Sequence, residues 1–156
     1  MRIWSTFVAT ALAISLAPLS CSKKPDECRS KPDCAEWGKC KQKDDRCVAA
    51  SDDDCRKSTA CKHVGTCVVS DDACAAGSDD DCKRSETCPI SGRCHAQAGM
   101  CVAMAEDCAP TELCLNSGRC TPQNGACVVG GDGDCLRAKQ CFTLGYCTKR
   151  GDRCDK

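Results

Sequence analysis

The chain is poor in the aromatic residues that usually build a hydrophobic core. Its 156 residues include two tryptophans, two phenylalanines and one tyrosine. Only Trp37, Phe142 and Tyr146 lie beyond an apolar N-terminal segment. Because aromatic side chains supply much of the buried area of a conventional core, we expect little hydrophobic core and a different source of stability.

The chain also lacks an excess of positive charge and a second long apolar run. Lysine and arginine together number 22, aspartate and glutamate together also number 22, and the formal net charge is +0. Phosphate backbones are bound through strongly basic surfaces, so this balance predicts no nucleic-acid partner. The one long apolar stretch, residues 3–20, is at the N-terminus, which excludes a membrane protein with several spans.

The sequence contains no motif typical of a catalytic or phosphate-binding site. It has no GxSxG, HExxH or P-loop pattern. Its two histidines, His63 and His95, occupy different positions of the repeat described below, which is more typical of exposed loop or strand residues than of a catalytic pair. We therefore predict a protein that is not an enzyme, with no catalytic residue and no cofactor.

Cysteine is the residue that the sequence has in abundance. It accounts for 21 of the 156 residues, about 13%, which is typical of a disulfide scaffold in an exported chain. Small units with little apolar area to bury are commonly cross-linked in this way, and such cross-links persist in oxidising compartments. The composition thus indicates a protein outside the cytoplasm.

The N-terminus has the form of a secretory signal peptide. Arg2 supplies a short positive region, and the apolar stretch that follows ends in small residues, so we predict a signal peptide over residues 1–20. Because the apolar stretch has 18 residues, a retained N-terminal membrane anchor is the alternative interpretation.

Cys21 follows this segment directly and lies outside the spacing of the other twenty cysteines. The residues before it, PLSC at 18–21, resemble the lipobox of bacterial lipoproteins, although Pro18 stands where leucine is usual. The resemblance implies that Cys21 is lipidated and becomes the mature N-terminus, with residues 21–27 as lipid anchor and tether. The protein would then be attached to the outer membrane or cell surface. The alternative is ordinary cleavage, which leaves a secreted protein with Cys21 as a free or intermolecular thiol.

The remaining cysteines form five groups with one spacing, C-x5-C-x5-C-x6-C. The group starts are 27, 27, 26 and 27 residues apart, so the chain is a tandem array. We define unit 1 as residues 28–54, unit 2 as 55–81, unit 3 as 82–107, unit 4 as 108–134 and unit 5 as 135–156. The predicted disulfide cysteines are Cys28, Cys34, Cys40 and Cys47; Cys55, Cys61, Cys67 and Cys74; Cys82, Cys88, Cys94 and Cys101; Cys108, Cys114, Cys120 and Cys127; and Cys135, Cys141, Cys147 and Cys154.

Each unit is predicted to be a short helix followed by a small β-hairpin. A glycine stands two residues before every third cysteine and can end a helix in the left-handed conformation. Pairs such as Asn124-Gly125 between the third and fourth cysteines favour tight hairpin turns. Only seven residues separate most units, so neighbouring units should abut and form a short rod. The architecture is therefore a small disulfide-rich repeat protein.

The acidic run SDDD before the first cysteine occurs twice, at 51–54 and 78–81. We interpret it as a helix start, with the serine capping the first amides and the third aspartate completing a capping box. Calcium binding is the alternative. It is less favoured because a calcium loop needs six or more oxygen ligands, and the corresponding residues are AED before the first cysteine of unit 4 and DGD before that of unit 5.

The arrangement of a helix followed by a hairpin favours one disulfide pairing. Cysteines six residues apart in one helix are about 9 Å apart along its axis, so the first and second should not pair. A hairpin strand that runs back along the helix places the third cysteine near the second and the fourth near the first. We prefer first-to-fourth and second-to-third bridges, while bridges between adjacent units stay open. Zinc binding is disfavoured because structural zinc sites use closer pairs of cysteines.

Two functions of different kinds are compatible with these features. The chain is similar in general terms to extracellular disulfide-rich tandem repeats, which implies a non-enzymatic spacer or adhesion module that contacts an unknown extracellular or periplasmic protein. The alternative is a small inhibitor or binding protein for an exported protease, with the hairpin tips as reactive loops. We interpret Trp37, Phe142 and Tyr146 as hydrophobic plugs in the terminal units rather than as anchors for a partner.

Overall fold

The computed structural model describes residues 27–156, which contain all five units. Each unit has a short helical part followed by a two-stranded antiparallel hairpin, and ten disulfides cross-link the five units. The predicted fold class is thereby confirmed. The predicted signal peptide, Cys21 and most of the tether lie outside the described residues.

Helices and hairpins alternate regularly along the described chain. A 3₁₀ turn, Glu27–Ser30, opens unit 1. The α-helices are α1 (Pro32–Trp37), α2 (Asp52–Lys57), α3 (Thr59–Val64), α4 (Asp79–Lys83), α5 (Thr87–Ser91), α6 (Glu112–Ser117), α7 (Asp132–Arg137) and α8 (Lys139–Leu144). The strands are β1 (Lys41–Lys43), β2 (Arg46–Val48), β3 (Val68–Ser70), β4 (Ala73–Ala75), β5 (His95–Gln97), β6 (Met100–Val102), β7 (Thr121–Gln123), β8 (Ala126–Val128), β9 (Thr148–Arg150) and β10 (Arg153–Asp155).

The helical part of most units consists of two short segments rather than one continuous helix. In unit 2 the break is at Ser58, whose backbone is extended between α2 and α3. The buried Ser58 hydroxyl donates to the Cys55 carbonyl at 2.7 Å and accepts from the Cys61 N–H at 3.1 Å, so it satisfies backbone groups of both segments. Ala138 of unit 5 has the same backbone conformation without a hydroxyl. The break is therefore a property of the repeat.

Helix starts extend across the unit boundaries that the cysteine spacing suggests. Helix α2 begins at Asp52 and α4 at Asp79, each three residues before the first cysteine of its unit. Ser51 and Ser78 accept hydrogen bonds from the backbone N–H groups of Asp54 and Asp81. These bonds confirm the predicted caps, and each acidic run belongs structurally to the unit that follows it.

Unit 4 lacks the first helical segment. The linker before it is one residue shorter than the others, and residues 105–110 form turns instead. Pro110 also disfavours helical backbone at the preceding residue. Thr111 takes the place of Ser58, with its hydroxyl donating to the Cys108 carbonyl and accepting from the Cys114 N–H. Unit 4 thus keeps the second segment, α6, and its cap.

All five hairpins have two-residue turns. In unit 4, Gln123 pairs with Ala126 across the turn, and Asn124 and Gly125 both have positive φ, at 51° and 75°. Positive φ at both central positions is typical of type I′ turns, whose twist matches that of the strands. The predicted turn positions are confirmed.

The disulfides follow the preferred pairing in every unit. The first cysteine is bonded to the fourth and the second to the third, and no bridge within residues 27–156 joins two units. The bridges are Cys28–Cys47, Cys34–Cys40, Cys55–Cys74, Cys61–Cys67, Cys82–Cys101, Cys88–Cys94, Cys108–Cys127, Cys114–Cys120, Cys135–Cys154 and Cys141–Cys147.

Buried side chains are mainly cysteines, alanines and valines. The two buried apolar clusters are small: one contains Ala103, Cys108 and Cys127, and the other Val129, Cys135 and Cys154. The array therefore has little hydrophobic core, as predicted, and covalent cross-links replace much of it.

Consecutive units meet through one repeated contact. In units 1 to 4, the glycine that ends the second segment has positive φ and lies against the next unit's first-to-fourth disulfide. A Cβ placed on Gly38, Gly65, Gly92 or Gly118 would lie 2.6, 2.6, 2.9 or 2.8 Å from the Sγ of Cys74, Cys101, Cys127 or Cys154, respectively. Close approach of the next unit is thus a second reason for glycine at this position.

Hairpin tips add a second repeated contact between units. The N–H two residues after the fourth cysteine donates to a carbonyl in the next hairpin turn: Ala49 to Asp72, Ala76 to Gly99 and Ala103 to Gly125, at 2.8–2.9 Å. The second segments also pack in succession, in the order α1, α3, α5, α6, α8. The units therefore abut, as expected, and their second segments form a row that we call the helix row.

Candidate functional site

The acidic runs form part of the structure of each unit, and their three positions have different partners. The first aspartate connects the helical part to the hairpin. In units 2, 3 and 5, Oδ1 of Asp52, Asp79 or Asp132 accepts the N–H of Val69, Ala96 or Lys149, at 2.7–2.8 Å. This bond holds the first strand of the hairpin beside the helix.

The third acid of the run is largely buried and stabilises the start of the helix. Asp134 of unit 5 accepts hydrogen bonds from the Thr121 hydroxyl, the Gly130 N–H and Arg137. Burial acts to raise the pKa of Asp134, but these three donors together lower it below the ordinary value of 3.8. Asp81 of unit 3 likewise pairs with Arg84, at 3.1 Å.

The middle position is exposed and contributes least to the structure. Asp53 pairs with Lys57 one helical turn later, at 2.6 Å, and the Lys57 hydrogen bond and charge lower the pKa of Asp53. Unit 5 has Gly133 here, with open space around it. Among the described residues, no group of three or more histidine, cysteine, aspartate or glutamate side chains is arranged to hold a metal ion. The hydrogen bonds of the serines with the third aspartates support the capping interpretation.

Both histidines lie where units meet. His63 of unit 2 pairs with Glu86 of unit 3. His95 of unit 3 lies between two carboxylates: its Nδ1 is 2.9 Å from Asp79, and its Nε2 is 3.4 Å from Asp107, which precedes the first cysteine of unit 4. The backbone N–H of Ala96 and the side chain of His95 lower the pKa of Asp79. Sequence reasoning placed both histidines in exposed loops or strands and did not identify these junction contacts.

The exposed face of the helix row is rich in large apolar side chains. Nine large apolar residues are exposed in the described chain, and six of them lie on second segments: Trp37, Val64, Ile90, Leu115, Phe142 and Leu144. Because the second segments pack in succession, these side chains lie along one row of elements.

The interpretation of the aromatics as plugs is wrong for Phe142 and Trp37. Phe142 is 79% exposed and Trp37 is 47% exposed, so neither fills a gap in a terminal unit. Tyr146 does pack against the buried cluster of Val129, Cys135 and Cys154. Both rings are exposed because they lie on short helical segments whose inner face is occupied by cysteine.

An open cavity of about 290 Å³ lies where units 2, 3 and 4 meet. Its lining includes Val64, Met100, Val102 and Arg93. Cofactor and drug-sized sites are usually larger and more enclosed.

None of the helices in the described part of the chain is long and apolar enough to span a membrane. The ten disulfides indicate an oxidising environment outside the cytoplasm. Comparison of the chain with protein-family models, with curated proteins and with solved structures finds no match.

Proposed function

We propose that this chain is a non-enzymatic, exported lipoprotein that acts as a cross-linked spacer and interaction module at the cell surface. The observation that carries this proposal is that two local disulfides brace every unit and that the contact between a glycine and the next unit's disulfide recurs at all four junctions. Local bridges keep each unit folded under denaturing conditions. Repeated junctions fix the position of each unit relative to the next.

The predicted lipid on Cys21 would attach this array to a membrane. The tether of residues 21–27 spans about 25 Å at most when extended, so unit 1 would lie close to the membrane surface. Each further unit would place the next part of the helix row farther out. Mass spectrometry of the mature N-terminus tests the anchor: a peptide that begins at another residue, or Cys21 in a disulfide, would contradict it.

The hairpin tips support a spacer better than a protease inhibitor. An inhibitory loop must present its backbone freely to an enzyme. The turn carbonyls of Asp72, Gly99 and Gly125 instead accept hydrogen bonds from the preceding unit. Asp72 also holds Lys43 and Arg46 of unit 1, at 2.7 and 3.1 Å. These three tips are therefore engaged in joining units.

Deletion of one complete period tests the spacer function. Removal of residues 55–81 joins SDDD at 51–54 to Cys82 and so restores the motif SDDDC with unchanged spacing. The lipidated chain and this deletion would each carry a fluorophore at the C-terminus, and energy transfer to a membrane dye would report the height of that end. We expect the height to fall when the unit is removed.

A matched control separates height from folding. Removal of residues 82–108 has the same length but moves the capping run SDDD next to Ala109, so it destroys the cysteine spacing. This variant should lose disulfide homogeneity, whereas removal of 55–81 should keep eight native bridges. If the height is the same with four or five intact units, the array lies along the membrane and the spacer function is wrong.

A further inference from the structure

The surface at the C-terminal end of the array repeats the surface that each earlier unit uses to hold its successor. Gly145 ends α8 in the left-handed conformation, with φ of 75°, like the four glycines before it. Those four glycines are buried against the next unit, whereas Gly145 is exposed, and a Cβ added to it would have no heavy atom within 4 Å. Phe142 and Leu144, on the same segment, are also exposed.

We propose that this end binds the N-terminal end of a second copy of the chain, so that copies associate head to tail through a fifth junction of the same type. We call the C-terminal surface the tail face (Phe142, Gly145, Thr148, Arg150 and Arg153). The N-terminal surface is the head face (Glu27, Pro32, Asp45 and Cys47). The inference does not depend on the lipid anchor; between lipidated copies it requires arrays that lie along the membrane, which is the outcome that would contradict the spacer function.

Charge complementarity at the hairpins supports this pairing. At the junction of units 1 and 2, Lys43 and Arg46 stand three and six residues after the third cysteine, and both contact Asp72, five residues after the next unit's third cysteine. The same counting gives Arg150 and Arg153 on the tail face and Asp45 on the head face.

Charged residues occupy all three positions at the junction of units 1 and 2 and at the two ends of the array, but not at the other three junctions. The junctions of units 2 and 3, 3 and 4, and 4 and 5 have serine, alanine, glutamine or methionine in place of the two cations. In the single chain, Arg150 donates to the Lys156 carbonyl and Arg153 lies 3.5 Å from Asp155, and the Arg153 side chain is 76% exposed. Both guanidinium groups hold only local partners and can turn to a neighbouring carboxylate.

A hydroxyl and a carboxylate form a second complementary pair at the two ends. At the junction of units 4 and 5, the Thr121 hydroxyl donates to Asp134 at 2.7 Å. Thr121 follows the third cysteine and Asp134 precedes the next unit's first cysteine. The corresponding residues at the ends are Thr148 and Glu27, both exposed.

The apolar contact at the ends also has an internal counterpart. At the junction of units 2 and 3, the Lys62 carbonyl accepts the N–H of Glu86. The side chains at these two positions also meet, since Lys62 Nζ lies 3.5 Å from Glu86 Oε1. The corresponding residues at the ends are Phe142 and Pro32, so an exposed ring would meet a proline, which has no N–H to repeat the backbone hydrogen bond. Burial of Phe142 would stabilise the contact.

A head-to-tail dimer of two rods leaves one head face and one tail face free, so association should continue beyond a dimer, to an open filament or to a closed ring. The test uses residues 21–156 with Cys21→Ser, a chain that lacks the predicted signal peptide and cannot be lipidated, at increasing concentration in sedimentation velocity. We expect the weight-average sedimentation coefficient to rise through a series of oligomers. Asp45→Lys should weaken association about tenfold, because it places a cation opposite two arginines.

A reciprocal exchange of charge makes the test specific. The variant R150E/R153E should weaken association in the same way, and an equimolar mixture with the Asp45→Lys chain should restore it, since each variant's altered end then faces an opposite charge. Glu106→Lys is the control: it makes the same charge change as Asp45→Lys at an exposed residue of unit 3 and should leave association unchanged. Gly145→Asn, which tolerates the left-handed conformation, should block the contact sterically.

Three results would overturn the proposal. One is a wild-type chain that stays monomeric up to about 1 mM, the concentration range of very weak association. Another is association that stops at a dimer, since a head-to-tail contact leaves free ends. The third is association that Asp45→Lys and R150E/R153E leave unchanged, or that their mixture does not restore.

Discussion

Gly65 of unit 2 lies against Cys101 of unit 3, close enough that a Cβ on Gly65 would be 2.6 Å from the Cys101 Sγ and 3.1 Å from the Cys82 Cα. The glycine has φ of 80° and ends α3. It therefore meets two requirements at once: a left-handed helix end and direct packing of the next unit's disulfide. Gly145 meets only the first, because no heavy atom of the described residues lies within 4 Å of a Cβ placed on it.

These two glycines allow the two requirements to be measured separately. Gly145→Ala should cost about 1–2 kcal/mol, the strain of a left-handed alanine. Gly65→Ala should cost this amount and a further 1–3 kcal/mol, roughly, because the methyl group overpacks the junction. Guanidinium unfolding with the disulfides intact measures both. Equal losses for the two variants would show that the junction tolerates a side chain.

The hydroxyl of Ser58 should contribute measurably to the stability of unit 2. Ser58→Ala removes one hydrogen bond to the Cys55 carbonyl and one from the Cys61 N–H. We expect a loss of about 0.5–2 kcal/mol, typical of a helix cap. Alanine fits this environment, since Ala138 is fully buried at the same position of unit 5.

Unit 5 supplies the control for this substitution. Ala138→Ser should leave stability unchanged or raise it, because the backbone there is already extended and a hydroxyl can donate to the Cys135 carbonyl, while the Cys141 N–H already donates to the Ala138 carbonyl. Hydrogen exchange of the amides in α3 and α8 would locate each effect. If hydrogen exchange in α3 is unchanged in the Ser58→Ala variant, the disulfides alone maintain the break between α2 and α3.

Features that depend on short stretches of sequence were predictable. Asn124-Gly125 determines a turn by its own dihedral preferences, and Ser51 caps a helix through an N–H only three residues away. The break at Ser58 was not predicted, because the stretch CRKSTAC favours a helix locally and the break appears only as a hydroxyl or small residue recurring after the first cysteine. The contact of Gly65 with Cys101 was also missed, since glycine already had a sufficient local role.

Acid should weaken the array through Asp134. The pKa of this buried carboxyl lies below 3.8, because hydrogen bonds from Thr121, Gly130 and Arg137 outweigh its burial. A carboxyl with a lowered pKa stabilises the fold above its unfolded pKa, and this contribution is lost as the pH falls through the folded value. Asp134→Asn should therefore lower stability at pH 7 by about 1–3 kcal/mol, and the difference from wild type should shrink as the pH falls below about 4.

Asp53→Asn is the comparison for this prediction. Asp53 pairs with Lys57 at an exposed position of α2, where ion pairs contribute little. Its effect on the guanidinium midpoint should be small from about pH 7 down to about pH 2.5. If the Asp134→Asn substitution also has only a small effect on stability at pH 7, the hydrogen bonds of Asp134 with Thr121 and Gly130 do not stabilise the junction of units 4 and 5.

Local closure of the disulfides predicts that a pair of units can fold without the rest of the chain. Residues 78–130 contain eight cysteines and all four bridges of units 3 and 4. Each bridge constrains a short loop and contributes on the order of 2–3 kcal/mol in the chain-entropy model. We expect this fragment to oxidise to one species with four native disulfides and to keep most of its protease resistance.

A fragment of equal length with a shifted frame supplies the control. Residues 68–120 also contain eight cysteines, but Cys74 and Cys108 have lost their partners, Cys55 and Cys127. Three native bridges can still form, and the two remaining thiols must pair across units or stay free. This fragment should give a mixture of disulfide isomers in peptide mapping after oxidative refolding. If residues 78–130 scramble to the same extent, the contacts that they have lost, such as that of Gly118 with Cys154, direct the pairing. The array would then fold as one cooperative body rather than unit by unit.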